Sequence, residues 1–353
     1  MVQLIKTVDP KDLFTNYLYF SSVTKSIVDH SKKTSACFID RFKLNHCNLV
    51  LEIGSNDGVN LQFYKEKGMN VLGIDPAKNI AEIANKKGIK TIPEFFNLEL
   101  AKKLSSQGLK ADLIYGANVF AHVPNIVDFV KGVKTILKDN GTCVFEFPYL
   151  KGLLENKFDT IYHEHVFYYS LIALKNLFNK VDLGIYDVEQ IPMQGGSLRI
   201  FISHKKRFNV SQNVKKLQEK EIKEKYNKLE RYMKMAEDVN NLKKETIKFL
   251  KDLKSKNKSI AGYGAPAKGI ILLNFFKISR YLNYIVDKSP VKQNKYVPGI
   301  HFLIYSPSKI RQEIPDYLFI FPWNIKSEIL SEYSWFKKQG GKFIIPIPRL
   351  QVI

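Results

Sequence analysis

Asn48-Leu-Val-Leu-Glu-Ile-Gly-Ser-Asn-Asp-Gly58 is the stretch that decides the fold of this chain. An apolar strand over residues 49–53 runs into a glycine turn, and a helical pattern follows through Lys67. A second apolar strand, Val71-Leu-Gly-Ile-Asp75, then ends in an acid. Glycine lets the backbone approach a ligand closely, and an acid in this position can accept hydrogen bonds from both hydroxyls of a ribose. The stretch therefore predicts a nucleoside-binding α/β unit.

The glycine turn reads G-S-N-D-G and, with Glu52 before it, resembles the E/D-x-G-x-x-x-G loop of class I S-adenosylmethionine-dependent methyltransferases. Further strands are predicted near residues 90–93, 112–117 and 141–147, separated by helical patterns, which indicates a parallel sheet. Residues 184–190 and 197–203 are predicted to close it as a hairpin pair. The resemblance implies these cofactor-binding residues: Glu52, Gly54, Asn56, Asp57, Gly58, Asp75, Glu94 and Asn118.

A second strand–turn–helix unit begins at Ser259. Gly262, Gly264 and Ala267 form G-x-G-x-x-A, and Asp287 follows about 20 residues later, as in a dinucleotide fingerprint. Predicted strands over 317–321 and 342–346 complete only a small α/β domain. A charged stretch from 212 to 258 without Gly or Pro predicts amphipathic helix.

These patterns predict an α/β chain with a class I methyltransferase (Rossmann-like) sheet, a helical connector and a smaller C-terminal Rossmann-like domain. The expected division is a covering segment over 1–46, a cofactor-binding domain over 47–210, the connector over 211–257 and the C-terminal domain over 258–353.

The densest group of titratable residues is Phe158-Asp-Thr-Ile-Tyr-His-Glu-His-Val-Phe-Tyr-Tyr-Ser170. Its histidines and carboxylate favour acid–base chemistry. A metal site is less favoured, because His163 and His165 are spaced i, i+2 and no third ligand is evident. The three cysteines show no CxxC spacing either. We therefore expect no metal. A second candidate segment, Asn118 to Asn125, follows the fourth strand and would present Asn118 and His122 to the same crevice as Gly54.

Motifs across nearly the whole chain resemble the sugar C-methyltransferase family: YHEH with YYS, GGSLR, GYGAPAKG, VDKSP and WN at Trp323-Asn324. That family is expected to transfer a methyl group from S-adenosylmethionine to a ring carbon of a nucleotide-linked 4-keto-6-deoxy sugar. Its members normally begin with a cysteine-rich zinc-binding domain, which we expect this chain to lack. They also usually carry histidine where this chain has Gln194.

The resemblance implies His165 as the base, with Tyr162, Glu164 and His122 orienting or polarising the sugar. His163 stays open as the alternative base. It further implies these substrate-binding residues: Tyr17, Tyr19, Ser197, Arg199, Tyr263, Lys268 and Lys292.

The net charge and its residue types limit which kinds of binding partner we expect. The chain has 353 residues with 55 basic and 34 acidic side chains, a formal charge of +21. Only seven of the basic residues are arginine. Proteins that recognise nucleic-acid bases favour arginine, whose guanidinium group can donate two hydrogen bonds to one base. We therefore expect a nucleotide-sugar partner and not nucleic acid. Neither a membrane span nor a signal peptide is evident, which predicts a cytoplasmic monomer or homodimer. The alternatives are an NAD(P)-dependent oxidoreductase or epimerase on a nucleotide sugar, a nucleic-acid methyltransferase, and a non-catalytic cofactor- or sugar-binding homologue.

Overall fold

The computed structural model describes residues 1–15, 17 and 20–353, except for the side chain of Gln194. The predicted substrate residue Tyr19 therefore lies outside the described residues. The chain divides into two compact units, one of residues 1–150 and 163–227, the other of residues 151–162 and 228–353. The stretch 211–257, expected to be a connector, is divided between them. Within the part of the chain that is described, no helix is both long and apolar enough to cross a membrane.

The strands, in chain order, are β1 Val2–Gln3, β2 Leu49–Ile53, β3 Asn70–Ile74, β4 Thr91–Ile92, β5 Ala111–Ala117, β6 Leu137–Pro148, β7 Phe167–Tyr168, β8 Leu183–Ile191, β9 Ser197–His204, β10 Ile260–Tyr263, β11 Tyr284–Val286, β12 Tyr296–Val297, β13 Phe302–Tyr305, β14 Tyr317–Ile320, β15 Lys342–Ile345 and β16 Gln351–Val352.

The α-helices are α1 Pro10–Phe14, α2 Lys25–Phe42, α3 Leu61–Lys65, α4 Lys78–Lys86, α5 Leu98–Ser106, α6 Ile126–Ile136, α7 Leu150–Leu154, α8 Leu171–Asn179, α9 Gln212–Lys223, α10 Leu229–Ser255, α11 Ala267–Phe276, α12 Lys309–Gln312, α13 Lys326–Glu332 and α14 Ser334–Lys338.

The first unit is built on a seven-stranded sheet of order β4-β3-β2-β5-β6-β9-β8. Strands β4, β3, β2, β5 and β6 are parallel, and the predicted closing pair β9 and β8 is antiparallel. The chain moves outward from β2 in both directions, so a ligand crevice opens beyond the carboxyl end of β2. The predicted methyltransferase-like α/β fold is confirmed.

Helix α2 closes one face of this sheet. Phe38 on α2 is buried against Val50, Leu113, Val144 and Phe201. These apolar side chains alternate along their strands, as a sheet face covered by a helix requires. Burial of Phe38 alone stabilises the unit by about 1.5–3 kcal/mol.

The second unit also has a seven-stranded sheet, of order β12-β13-β11-β10-β14-β15-β16. The strands expected from the sequence correspond to β10, β11, β14 and β15, whereas β12, β13 and β16 were not predicted. Two of the three missed strands, β12 and β16, are two residues long and join the sheet antiparallel at its edges, so they carry too little pattern to be recognised.

Candidate active site

The turn after β2 is the predicted cofactor loop. Gly54 has a φ of 71°, in the left-handed region, and its amide donates to the Ile74 carbonyl at 2.8 Å. A Cβ at position 54 would lie 3.1 Å from Cβ of Val119. The turn therefore needs glycine both for its backbone conformation and for the close approach of the segment that follows β5.

Gly54→Ala is expected to destabilise the protein, because the methyl group meets Val119 on a backbone that already costs about 1–2 kcal/mol for a non-glycine residue. Gly108→Ala is the matched control, since Gly108 has a φ of 82° but nothing within 4 Å of an added Cβ. Thermal unfolding should give a larger fall in Tm for Gly54→Ala. Equal falls in Tm would show that the Val119 contact contributes nothing.

Asp75 and the loop residue Asn56 are joined at this edge. The buried Asp75 carboxylate accepts hydrogen bonds from the amides of Asn56 at 2.8 Å and Ala77 at 3.0 Å. Burial raises the pKa of Asp75, and these two amides partly oppose the rise. The arrangement places an acid against the glycine loop, as the sequence predicted for a ribose-binding position.

The N-terminal segment reaches the same loop. The Ser21 amide donates to Asn56 Oδ1 at 2.9 Å, and the Ser22 hydroxyl donates to Asp57 Oδ2. Lys87 pairs with that Asp57 oxygen at 3.1 Å. The predicted covering segment thus contacts the loop through Ser21 and Ser22, which were not among the predicted site residues.

Buried polar atoms without a partner among the described residues gather around the loop. They are Glu52 Oε2, Ser55 Oγ, Asp57 Oδ1 and both amide atoms of Asn60. Buried polar groups are nearly always hydrogen-bonded in folded proteins. The cluster therefore fits a polar ligand bound at this edge of the sheet.

Two further predicted cofactor residues, Asn118 and Glu94, differ in their surroundings. Asn118 directly follows β5 with a φ of 56°, and its amide donates to the Glu146 carbonyl at 2.7 Å. It lies at the same sheet edge as Gly54. Glu94 is exposed instead, and its carboxylate lies 3.9 Å from the Lys103 ammonium.

Two histidines from distant segments meet in the first unit. The His122 and His165 rings stack with centroids 5.1 Å apart, and Phe14 stacks on His122 at 5.6 Å. Burial, followed by the effect of His165, lowers the pKa of His122 to about 3. His122 is therefore neutral at physiological pH, and its Nε2 atom is buried without a partner in the described part of the chain.

The residues of the histidine segment differ in how exposed they are. His165 is buried, with 6% of its surface exposed, whereas His163 is exposed. Glu164 is half-buried; burial raises the pKa of this carboxyl, although His163 and a hydrogen bond from the Tyr17 hydroxyl partly oppose the rise. Tyr162 belongs to the second compact unit and is half-buried.

Arg199 is engaged inside the fold. Its guanidinium donates to Glu146 and to Glu189, each at 2.7 Å, and to the Thr34 hydroxyl at 3.1 Å. His30 lies 2.8 Å from the other Glu146 oxygen. The predicted substrate residue thus forms a buried ion-pair network. The neighbouring Ser197 is also buried and donates its hydroxyl hydrogen to the Met193 carbonyl at 3.0 Å.

Sequence reasoning missed the partners in this network. The register pairs Glu146 with Arg199 directly across β6 and β9, and Glu189 with Arg199 across β8 and β9. The available signal was a single acid in the apolar run around Glu146 and a single base in the apolar run around Arg199. Lone opposite charges in two apolar strands favour a buried pair.

The turn after β10 has the same backbone plan as the cofactor loop. Gly264 has a φ of 85°, and the Asp287 carboxylate accepts the amides of Ala265 at 2.7 Å and Ser289 at 2.8 Å. This turn differs in its side chains, because Ala265, Pro266 and Ala267 offer no polar group and Pro266 has no N–H. The backbone of this turn thus matches a dinucleotide loop in its glycine conformation and in the position of Asp287, but Pro266 removes one N–H that such a loop offers to a phosphate.

Lys268 is half-buried and lies beside the buried residues Asp159 and Trp323 of the second unit. The Trp323 indole N–H donates to Asp159 Oδ2 at 2.6 Å, and the Lys268 ammonium lies 5.5 Å from the centre of the Trp323 ring. Burial lowers the pKa of Lys268, and the nearby Asp159 carboxylate partly opposes this effect. Asp159 Oδ1 has no partner among the described residues.

The remaining predicted substrate residues also lie in the second unit. Lys292 donates to the Ala265 carbonyl at 3.1 Å and lies 3.5 Å from Asp287. The buried Tyr263 ring packs edge-on against Tyr333, with centroids 5.1 Å apart. Among the described residues, no group of three His, Cys, Asp or Glu side chains could hold a metal ion.

Comparison with known families matches both parts of the chain. A family model described as a methyltransferase domain matches residues 33–188, which include the glycine loop and both stacked histidines. A second, described as a C-methyltransferase C-terminal domain, matches residues 192–348. Fold and site together thus define a methyltransferase.

The C-methyltransferase NovU of Streptomyces niveus is 34% identical over 360 residues, covering 100% of this chain and 85% of NovU. The chain belongs to the C-methyltransferase family.

Solved structures also resemble part of the chain. The PH0226 protein of Pyrococcus horikoshii OT3 is 15% identical with a TM-score of 0.43, covering 57% of this chain and 100% of that protein. Magnesium protoporphyrin IX methyltransferase of Synechocystis PCC 6803, solved with bound SAM, is 12% identical with a TM-score of 0.39, covering 50% of this chain and 79% of that protein.

Proposed function

We propose that the chain is an S-adenosylmethionine-dependent C-methyltransferase acting on a nucleotide-linked 4-keto-6-deoxy sugar. One observation carries the proposal: a buried histidine, His165, stacks on a second histidine, His122, which is held neutral. Neutral His122 places no positive charge beside His165, which favours proton abstraction next to a ketone, because a base must be unprotonated to accept a proton.

The cofactor would occupy the edge formed by the loop after β2. Asp75 would accept hydrogen bonds from the ribose hydroxyls, with Asn56, Asp57 and Asn118 beside it, and Gly54 and Gly58 would let the backbone approach. Glu94 would contact the cofactor at the outer side of this site. S-adenosylmethionine supplies a methyl group on a positively charged sulfur.

His165 would remove the proton from the ring carbon next to the keto group. The enolate that forms places negative charge on the sugar oxygen, and donors aimed at that oxygen lower the barrier. Neutral His122 has one ring N–H that can serve as such a donor. Glu164, hydrogen-bonded to Tyr17, and Tyr162 would orient the sugar.

The nucleotide diphosphate would use lysines of the second unit. Lys268 and Lys292 are the proposed partners, with Tyr263 nearby in sequence. Arg199 and Ser197 are weaker candidates, since both already bond within the fold.

Lys268→Met is expected to reduce the thermal protection given by a nucleoside diphosphate or nucleotide sugar, because a half-buried ammonium is a strong phosphate partner. Wild-type protein should gain several degrees in Tm at millimolar ligand, and the variant about half of that or less. Lys251→Met, an exposed lysine on α10, is the control. Wild-type protection in Lys268→Met would remove this residue from the substrate site.

The function is tested by mass spectrometry in deuterated water. The protein is mixed with S-adenosylmethionine and a panel of nucleotide-linked 4-keto sugars. We expect one substrate to gain one methyl group, and to exchange the proton on the neighbouring carbon for deuterium when the cofactor is left out. Cofactor binding without exchange or methylation of any sugar would favour a non-catalytic homologue.

A further inference from the structure

Phe14 of the covering segment packs on the histidine pair. Its ring stacks on His122 with centroids 5.6 Å apart and an interplanar angle of 8°, and His165 stacks on the same imidazole at 5.1 Å and 24°. Phe14 is half-buried and is the last residue of helix α1. A ring stacked on an imidazole replaces water over the area that it covers. Phe14 therefore contributes to the burial of His122.

The chain on both sides of Phe14 is anchored beside the site. Before it, β1 pairs antiparallel with β7, which begins two residues after His165. After it, the Tyr17 carbonyl accepts a hydrogen bond from the Asn79 side chain at 2.9 Å, and the Ser21 amide donates to the cofactor loop at 2.9 Å. Since α1 is only five residues long, these contacts on either side fix the place of the Phe14 ring over the imidazole.

Phe14 also supports a predicted substrate residue. The Tyr17 ring packs edge-on against it with centroids 5.5 Å apart, and the Tyr17 hydroxyl donates to Glu164. Tyr168 packs edge-on against His165, with ring centroids 6.1 Å apart. These tyrosines and Glu164 are, with the histidines themselves, the titratable groups around the stack. One phenylalanine thus joins the histidine pair to the segment that reaches the cofactor loop.

We propose that Phe14 is a positioning residue for methyl transfer, whose ring holds the His122 imidazole against His165 and shields it from water. The proposal rests on the proposed function and adds to that site a residue that was not predicted as part of it. Stacking engages the face of the imidazole. The ring edge, where Nε2 of His122 has no partner in the described part of the chain, remains available to a substrate oxygen.

Removing the ring should impair the reaction more than the fold. Phe14→Ala is expected to lower kcat by about 10–100-fold, because a group that is no longer held in place loses much of its effect on the reacting atoms. The Tm and the affinity for S-adenosylmethionine should stay close to those of wild type, since Phe14 is half-buried and the loop contact of Ser21 remains. Phe14→Tyr keeps a ring and should restore a rate within a few-fold of wild type. The rate is measured by mass spectrometry with the sugar that wild-type protein methylates.

The packing itself is tested by NMR of the histidine ring signals in the free protein, assigned by comparison with His122→Gln. In wild type the Phe14 ring current should shift the His122 signals, which should not titrate above about pH 5. In Phe14→Ala this shift should disappear. The pKa of His122 should also rise from about 3 toward its ordinary value of 6.5, because burial is the main cause of its lowering. Phe20→Ala, at another half-buried phenylalanine of the same segment, is the matched control and should leave these signals unchanged.

Methyl transfer at the wild-type rate by Phe14→Ala, or the same His122 signals in Phe14→Ala and wild type, would overturn the inference and leave the proposed function intact. Phe14→Leu, which keeps apolar volume but has no ring, takes the place of Phe14→Ala if that variant does not fold, and the same two results decide. If wild-type protein methylates none of the nucleotide-linked 4-keto sugars, the proposed function fails and the positioning role fails with it.

Discussion

His165→Ala is expected to lower the rate of methyl transfer by about 10²–10⁴-fold, the usual contribution of a general base. His165 is buried and stacked on His122, and it is the residue that we propose to accept the proton of the substrate. Single-turnover methylation measures the rate, and calorimetry measures cofactor affinity, which should stay close to that of wild type because His165 is not part of the glycine loop.

The neighbouring histidine provides the control. His163→Ala changes an exposed side chain two residues away, so we expect a rate within a few-fold of wild type. A reversed outcome, with His163→Ala inactive and His165→Ala active, would assign the base to His163. Loss of deuterium exchange in His165→Ala would locate its effect at proton abstraction.

Arg199→Leu is expected to destabilise the protein by about 3–5 kcal/mol, because it leaves Glu146 buried and without its main counter-charge. Only 8% of the Arg199 side chain and 5% of that of Glu146 are exposed, and both are hydrogen-bonded in the native state. Denaturant unfolding measures the loss. Arg207→Leu, at an exposed position after β9, should change stability by no more than about 0.5 kcal/mol.

The stability lost in Arg199→Leu should depend on pH. Burial alone would raise the pKa of Glu146, but His30 and Arg199 outweigh it and hold the pKa below the ordinary value of 4.5. A lowered pKa contributes stability above the unfolded value, and this contribution disappears as pH falls through the native value. The difference between wild type and Arg199→Leu should therefore be largest near neutral pH and shrink below about pH 4.5. A difference that is constant with pH would contradict the ion-pair account.

The double variant Arg199→Leu with Glu146→Leu separates charge from packing. Removing both partners abolishes the unpaired buried charge, so it should recover part of the stability lost in the single variant. No recovery would mean that packing of the guanidinium, which lies 5.1 Å from the centre of the Phe38 ring, accounts for the loss.

Much of the fold could be read from local sequence. The glycine turn after β2 and the alternation of strands and helices predicted the first sheet and its closing antiparallel pair. Both signals lie within short stretches of sequence, so they can be recognised without the fold. In the second sheet β12, β13 and β16 were not predicted, and two of them, β12 and β16, are edge strands of only two residues. Strands this short form only because they pair with a neighbouring strand.

The site was predicted more unevenly. Asn56, Asp57 and Asp75 meet at the loop, as their spacing indicated. Arg199 was assigned to the substrate from its motif, and its pairing with Glu146 depends on a strand register that the motif does not contain.

The sequence by itself determined the class of sheet, the position of the cofactor loop and the segment that carries the histidines, since each depends on residues close together in the chain. The tertiary structure decided which histidine is buried and that Arg199 is paired with Glu146 inside the fold. The physical reason is that burial and ion pairing are set by residues far apart in sequence. His30 and Glu146 are separated by 116 positions and Thr34 and Arg199 by 165, and only folding brings them together.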